Sequence, residues 1–358
     1  MSETLLRLRK KMREKGIGAV IISGGSNRRY FSGFTGTAGT VLVTEDKALF
    51  MTDSRYTIQA GRQCRGFEVK ELSGKPLLDF MSAFLDEQGI KSVWIDEEEI
   101  TYARYKALKE AIGDGIRLEE GTKFFSEIRM IKTDDEIVIM REAADISGRA
   151  FMMMLDEMKV GQTELEAARN FEKHVIELGA ELSFIIVASG ENGACPHNVP
   201  SERKIQYGDL VTVDFGVIYK GYNSDCTRTF AVGDVSEKLK EIFSVVAEAQ
   251  MKVREAVRPG AVCSDVDRLS RDIIGKAGYG QYFGHGLGHS LGLDIHEAPS
   301  LNKVCRTVLE KGMLVTDEPG IYIEGLGGVR IEDTLLVTEN GALSITDNVP
   351  KDIIIKEF

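Results

Sequence analysis

Hydrophobic positions in residues 1–125 switch repeatedly between helical and strand spacing. "TLLRLRKKMREKG" sets its leucines and Met12 on one helical face and closes on Gly16. "AVIIS", "TVLVT" and "ALFMTD" are apolar runs of strand length, and "PLLDFMSAFLDEQG" is helical again. Such alternation predicts an α/β unit with a largely covered sheet.

A second regime begins between residues 122 and 130, where no Pro/Ser-rich linker marks the change. Thr133 and Glu136 form a T-x-x-E capping box ahead of a helix running toward Gly161, and Thr163 with Glu166 repeats the device. A third helix is expected to open near Ser264. Strand pairs follow, "LVTVDFGVIYKGYNSDCTRTFAV" and "MLVTDEPGIYIEGLGGVRIEDTLLVTENG". Residues 126–358 therefore read as α+β, long helices packed on an antiparallel sheet, and two halves of similar order suggest an internal duplication.

Composition narrows the class. A chain of 358 residues with 43% hydrophobic and 28% charged residues fits two globular domains. The net charge of −11 argues against nucleic acid and anionic membrane surfaces as partners. No apolar run is long enough to cross a bilayer, and "MSETLLRLRKK" lacks the apolar core of a signal peptide, so a cytoplasmic location is expected. The five cysteines show no CxxC spacing and read as reduced thiols, with Cys195 and Cys226 expected to be small buried ones.

The chemistry lies in two acid-bearing hairpins. Asp214 in "VTVDFGV" and Asp225 in "YNSDCTRTF" are joined across "YKGY", which sets them opposite each other or on the adjacent diagonal, on one face. Glu318 in "TDEPGIYI" and Glu332 in "VRIEDTLL" flank "EGLGG" in the same way. Like charges facing each other on paired strands are destabilising unless a cation lies between them. Asp214 and Glu332 also interrupt runs of Val, Ile and Leu where burial is expected, and buried carboxylates ask for a counter-charge. Four acids and an imidazole suit two divalent ions better than a structural zinc.

Four of the five histidines fall near these strands. His285, His289 and His296 lie within "FGHGLGHSLGLDIHE" and His197 in "ACPHNVP", while His174 sits on an amphipathic helix as a surface or packing residue. Glycines between the histidines let backbone or ligand approach closely. Spacing does not decide which imidazole is the ligand.

In order, "VDFG", "YNSDCTRTF", "GHGLGH", "DIHE", "TDEPGIY" and "VRIEDT" resemble the creatinase/aminopeptidase P/prolidase metallopeptidases of family M24. "NRRYFSGFTGTAG" and "FMTDSRYTIQA" resemble their non-catalytic N-terminal domain. The resemblance implies a creatinase-like α/β domain over 1–125 and a pita-bread catalytic domain over 126–358. It implies Asp214, Asp225, His289, Glu318 and Glu332 as ligands of two divalent ions per subunit, manganese or cobalt with zinc as an alternative, Asp225 and Glu332 bridging. His197, His285 and His296 match positions that contact substrate or relay protons, Glu318 would take a proton from water, and Arg330 matches a position that braces the ligands. Cys226 and Asp317 replace residues that are often apolar in the family, and Asp317 should point away from the metals. Ser300 stands near where some prolidases carry an arginine for a dipeptide carboxylate.

The implied reaction is hydrolysis after an N-terminal residue that precedes proline, by an Xaa-Pro aminopeptidase or dipeptidase acting on short peptides, as a homodimer. The alternatives are a methionine-aminopeptidase-like enzyme, which usually lacks the N-terminal domain, and a non-catalytic pita-bread peptide-binding module, which typically loses ligands.

Overall fold

The computed structural model describes residues 2–352 and 355–356. The chain divides into two compact units, Met1–Arg129 and Met130–Phe358.

In the first unit the strands are β1 (Ala19–Ile22), β2 (Thr40–Thr44), β3 (Ala48–Thr52), β4 (Glu68–Glu71), β5 (Ser92–Ile95) and β6 (Arg117–Glu120). They form one sheet in the order β4-β3-β2-β1-β5-β6, with β2 alone antiparallel to its neighbours. The helices are α1 (Glu3–Lys15), α2 (Gly25–Ser32), α3 (Thr57–Gln63), α4 (Gly74–Glu87), α5 (Tyr102–Ile112) and α6 (Thr122–Arg129). Ser2 caps the start of α1 by accepting from the Leu5 amide, and Gly16 ends it at φ 66°, a left-handed conformation that suits glycine. Met81 and Leu85 of α4 and Leu108 of α5 pack on Ile21, Leu49, Met51 and Ile95, while Phe124 of α6 meets Trp94 from the sheet's other face. Helices thus cover both faces, which is why β1 is buried throughout.

The second unit begins with α7 (Asp134–Glu157) and α8 (Glu164–Glu177), both opened by complete capping boxes at Thr133 and Thr163. Their apolar faces pack on β7 (Glu181–Ser189), β8 (Leu210–Tyr219) and β10 (Cys226–Val232), with Phe151 stacked on Phe215 at 4.8 Å. The short β9 (Tyr222–Asn223) completes the turn between β8 and β10. The helix–helix–strand order then recurs. α9 (Glu237–Ala256) and α10 (Cys263–Lys276) cover β13 (Leu314–Asp317), β14 (Gly320–Ile323), β15 (Gly327–Arg330) and β16 (Asp333–Val337). Beside these lie β11 (Gly288–Ser290), β12 (Glu297–Leu301) and β17 (Ala342–Ser344), and β18 (Ile355–Lys356) adds to the edge of β10.

One start differs from expectation. α10 begins at Cys263, and its cap, Val262, has no side-chain acceptor, so Ser264 lies inside the first turn rather than ahead of it. The backbone there is tied instead by Cys263 and Ser264 amides donating to the carbonyls of Thr307 and Cys305. No helix among the described residues is long and apolar enough to cross a membrane.

Candidate metal centre

The turn joining β8 to β9 places Lys220 at φ 48° and Gly221 at φ 84°, as a two-residue hairpin turn requires. The resulting register pairs Asp214 with Thr227 and Phe215 with Cys226. Asp225, one residue before β10, therefore lies on the diagonal from Asp214, one of the two arrangements expected. In the other hairpin, Asp317↔Asp333 on one side and Gly320↔Arg330 on the other bracket Glu318 and Glu332 as opposite numbers. A bridge from Thr227 to Glu332 joins the two hairpins, the Glu332 amide donating to the Thr227 carbonyl at 3.1 Å. This crossing brings carboxylate oxygens of Asp214, Asp225 and Glu332 within 4.8 Å of one another.

His289 completes the cluster from β11. Its Nε2 is 3.5 Å from both Asp225 Oδ2 and Glu318 Oε1, and its Nδ1 is 3.1 Å from the Ser290 carbonyl. With Nδ1–H donating to that carbonyl, the Nε2 lone pair faces two carboxylates, an arrangement that favours a cation between them. The neighbouring glycine makes the approach possible, since a Cβ on Gly288 would fall 2.1 Å from the Thr316 carbonyl oxygen.

All nine residues singled out in the sequence line one cavity of about 550 Å³. Five are the predicted ligands. Of the others, His197 and His296 are exposed at its margin, with the His296 ring edge-on to His289 at 4.4 Å. Arg330 donates through Nη2 to Asp214 Oδ2 at 2.8 Å and through Nε to Thr227 Oγ1, which itself donates to Glu332 Oε2 at 2.6 Å. Ser300 lines the same cavity, paired across the strands with His289.

Electrostatics test whether these groups fit a metal. Burial first, then the charges of Asp214 and Glu318, raise the Asp225 pKa well above the ordinary carboxylate value. Burial and Asp225 do the same to Glu332, and burial lifts Glu318 to about 8 although Arg330 opposes it. Burial lowers His289 to about 4, so its imidazole is neutral at pH 7 and able to ligate. Asp214 Oδ1 and Asp225 Oδ1 are buried with no hydrogen-bond partner among the described residues. Acids forced together, orphaned oxygens and a neutral imidazole are the donor set a hard divalent cation takes, so the residues fit the group.

Several participants gave little sequence signal. Tyr322 is the clearest: its hydroxyl lies 2.8 Å from His285 Nε2 and accepts from Arg330 Nη1 at 3.0 Å. Its only hint was strand parity with Glu318. Because His285 Nδ1 is 2.7 Å from the Gly286 carbonyl, both ring nitrogens of His285 are held by the protein. Burial lowers its pKa to about 4, which suits a neutral ring accepting from Tyr322. Asp317 points away from the cluster, as expected, into a fully buried network. There it accepts from Gln250 and from the Asp333 amide, while Asp333 is paired with Arg228 at 2.9 Å. Cys226 is buried as expected, but Cys195 is exposed, because the short turn at Gly190–Ala194 carries it outward. His174 is a packing residue, 2% exposed beside Glu177.

The sequence profile of metallopeptidase family M24 matches residues 138–339, and that of the creatinase/prolidase N-terminal domain matches residues 5–131. An uncharacterized peptidase of Bacillus subtilis, YqhT, is 44% identical over 98% of this chain and 99% of its own. A structure titled Xaa-Pro dipeptidase from Bacillus anthracis superposes with a TM-score of 0.93 at 46% identity, covering 99% of both chains. An X-Pro aminopeptidase from Thermotoga maritima superposes at 0.89 and 34% identity, over 97% of this chain and 100% of that one. The chain belongs to metallopeptidase family M24, with a creatinase-type α/β domain preceding a pita-bread domain. The family implies divalent metal ions.

Proposed function

We propose that this chain hydrolyses the peptide bond between an N-terminal residue and a following proline, using two divalent ions, manganese or cobalt, with zinc as the alternative. The observation that carries the reading is the convergence of Asp214, Asp225, His289, Glu318 and Glu332 around two orphaned carboxylate oxygens in one cavity. Relatives named for Xaa-Pro dipeptidase and X-Pro aminopeptidase activity support the substrate class. Ions held by these five residues would supply a nucleophilic water at neutral pH and Lewis acidity toward a carbonyl.

The chain's own residues do the rest. Glu318 takes a proton at its carboxylate and returns it to the leaving nitrogen. His296 and His197, which line the cavity, would donate to charge on the substrate. His285 acts through Tyr322, whose hydroxyl it accepts from, and Arg330 fixes Asp214 and, through Thr227, Glu332. Residues 126–358 would form the catalytic domain and 1–125 would be non-catalytic, with a second copy in a cytoplasmic homodimer narrowing access to short peptides.

Between the two activities, the cavity favours the aminopeptidase. Among the described residues its lining includes no lysine and one arginine, Arg330, already engaged by Asp214 and Tyr322, and Ser300 cannot hold a carboxylate as arginine does. The dipeptidase named among the relatives is the second reading. Metal-loaded protein should be incubated with an Xaa-Pro dipeptide, an Xaa-Pro-Yaa tripeptide and an Xaa-Ala control. The tripeptide should be cleaved fastest and the control least. No cleavage of either proline peptide would refute the function, and cleavage of the dipeptide alone would refute the reading of Ser300.

A further inference from the structure

A second cavity, of about 420 Å³, is lined, among the described residues, by those of the N-terminal unit. It lies past the carboxyl ends of β1, β3 and β4, at Ser23, Asp53 and Leu72, and beside Thr40 at the start of the antiparallel β2. In open α/β sheets, the carboxyl ends of parallel strands beside a break in the strand order are where ligands commonly bind. One wall is apolar, built from Ile21, Met51, Leu77, Leu78 and Met81. The remaining lining includes two cations, Arg28 and Arg104.

Arg28 is only 7% exposed. Its Nη1 donates to the carbonyls of Ser23 and Gly39 and its Nη2 to that of Gly36, while its Nε is buried with no partner among the described residues. Carboxylates nearby are already committed. Asp96 accepts from the Ser23 and Gly24 amides at the start of α2, and Asp53 is held by Arg55 at 2.9 Å. Burial first, then the charge of Arg104, pulls the Arg28 pKa below its ordinary value, with Asp96 opposing. Arg28 and Arg104 line the same cavity, and an anion bound there would offset the part of their positive charge that Asp96 does not. Ser73 and Gly74, at the start of α4, also line the cavity, and the Ser73 side chain makes no capping bond there.

The geometry points to this cavity as a binding site for a small monocarboxylate with a branched apolar tail. The carboxylate would meet Arg104 and the start of α4 at Ser73 and Gly74, with Arg28 adding positive charge from the wall, and the tail would lie against Met51, Leu77 and Met81. The cavity volume is in the range of small-molecule sites. Two sources share this chemistry, a free branched-chain amino acid and an amine-free acid. The inference stands apart from the peptidase reading, because no residue of the metal centre takes part.

The test is methyl NMR on the full chain with labelled methionines, titrated with isocaproate, leucine and uncharged isocaproamide. Met51 and Met81 line this cavity and no methionine among the described residues lines the metal-site cavity, so shifts at these two methyls locate binding independently of the metal centre. A saturable shift of both methyls with isocaproate or leucine is expected, and whichever binds tighter identifies the source. R104E, an exposed change that retains the fold, should weaken binding about tenfold or more, as loss of a charge-assisted contact does. Arg28 is left intact because it holds three carbonyls. The site is refuted by unmoved Met51 and Met81 methyls with both carboxylates, by equal affinity for isocaproamide, or by R104E binding as wild type does.

Discussion

At the scale of residues, the ligand-type side chains were legible because their chemistry is at odds with their surroundings. Asp214 and Glu332 interrupt Val/Ile/Leu runs, Asp225 and Glu318 were found as their hairpin partners, and all four line one cavity. Tyr322 and Thr227 were not legible, because a tyrosine or threonine on a strand is ordinary until its partners are known. Tyr322→Phe removes the hydroxyl that His285 accepts and Arg330 donates to. Loss of such an outer partner should lower kcat/KM by roughly 10–100-fold. Metal content should stay unchanged, checked by elemental analysis beside the kinetics; an unaltered rate would show that this chain of contacts is idle. The identity of the imidazole ligand was likewise out of reach of spacing alone. The family resemblance implied His289, and the structure turns its Nε2 toward the acids, 3.5 Å from Asp225 and Glu318.

At the scale of elements, register does the work. The hairpin turns set each acid pair, and the Thr227–Glu332 bridge merges the pairs into one cluster. Sequence patterns predicted each hairpin by itself, because turn residues and alternation are local. They carried nothing about the bridge, which joins strands about a hundred positions apart, nor about the outward turn that exposes Cys195. Glycine 288 is the element-scale counterpart, the point where β11 runs against β13. Gly288→Ala would press a Cβ into the Thr316 carbonyl and should destabilise the fold by about 1–3 kcal/mol. It should also weaken metal binding through the displaced His289, as a thermal melt with and without metal would reveal. The crossing also dictates a pH dependence. Glu318 has its folded pKa raised from 4.5 to about 8, so its contribution is fully present below pH 4.5 and lost as pH rises through 8. His285 and His289, lowered from 6.5 to about 4, act in the opposite direction, but only below pH 6.5. Between pH 6.5 and 8 the metal-free protein should therefore lose about 1–2 kcal/mol, given 1.36 kcal/mol per pKa unit. Metal should abolish that loss, and denaturant melts across this window with and without metal would check it; a metal-free protein that gains stability there would count against the clustered acids.

At the scale of the whole molecule, the sequence separates an α/β unit from an α+β unit; the acid-lined cavity lies in the second and the cavity lined by Arg28 and Arg104 in the first. The boundary itself was indistinct because no linker composition marks it and α6 passes into α7 within a few residues. The acid cluster fits a metal centre, since without a cation the second unit must keep buried carboxylates protonated, as the raised pKa values of Asp225, Glu318 and Glu332 show. The most direct measurement is metal content per chain after equilibration with manganese and removal of excess, for the wild type and Asp225→Asn. Two ions per chain in the wild type, and a clear loss of both metal and peptidase activity in the variant, are predicted. A wild type that retains no metal, or an Asp225→Asn protein that is fully loaded and fully active, would contradict the assignment.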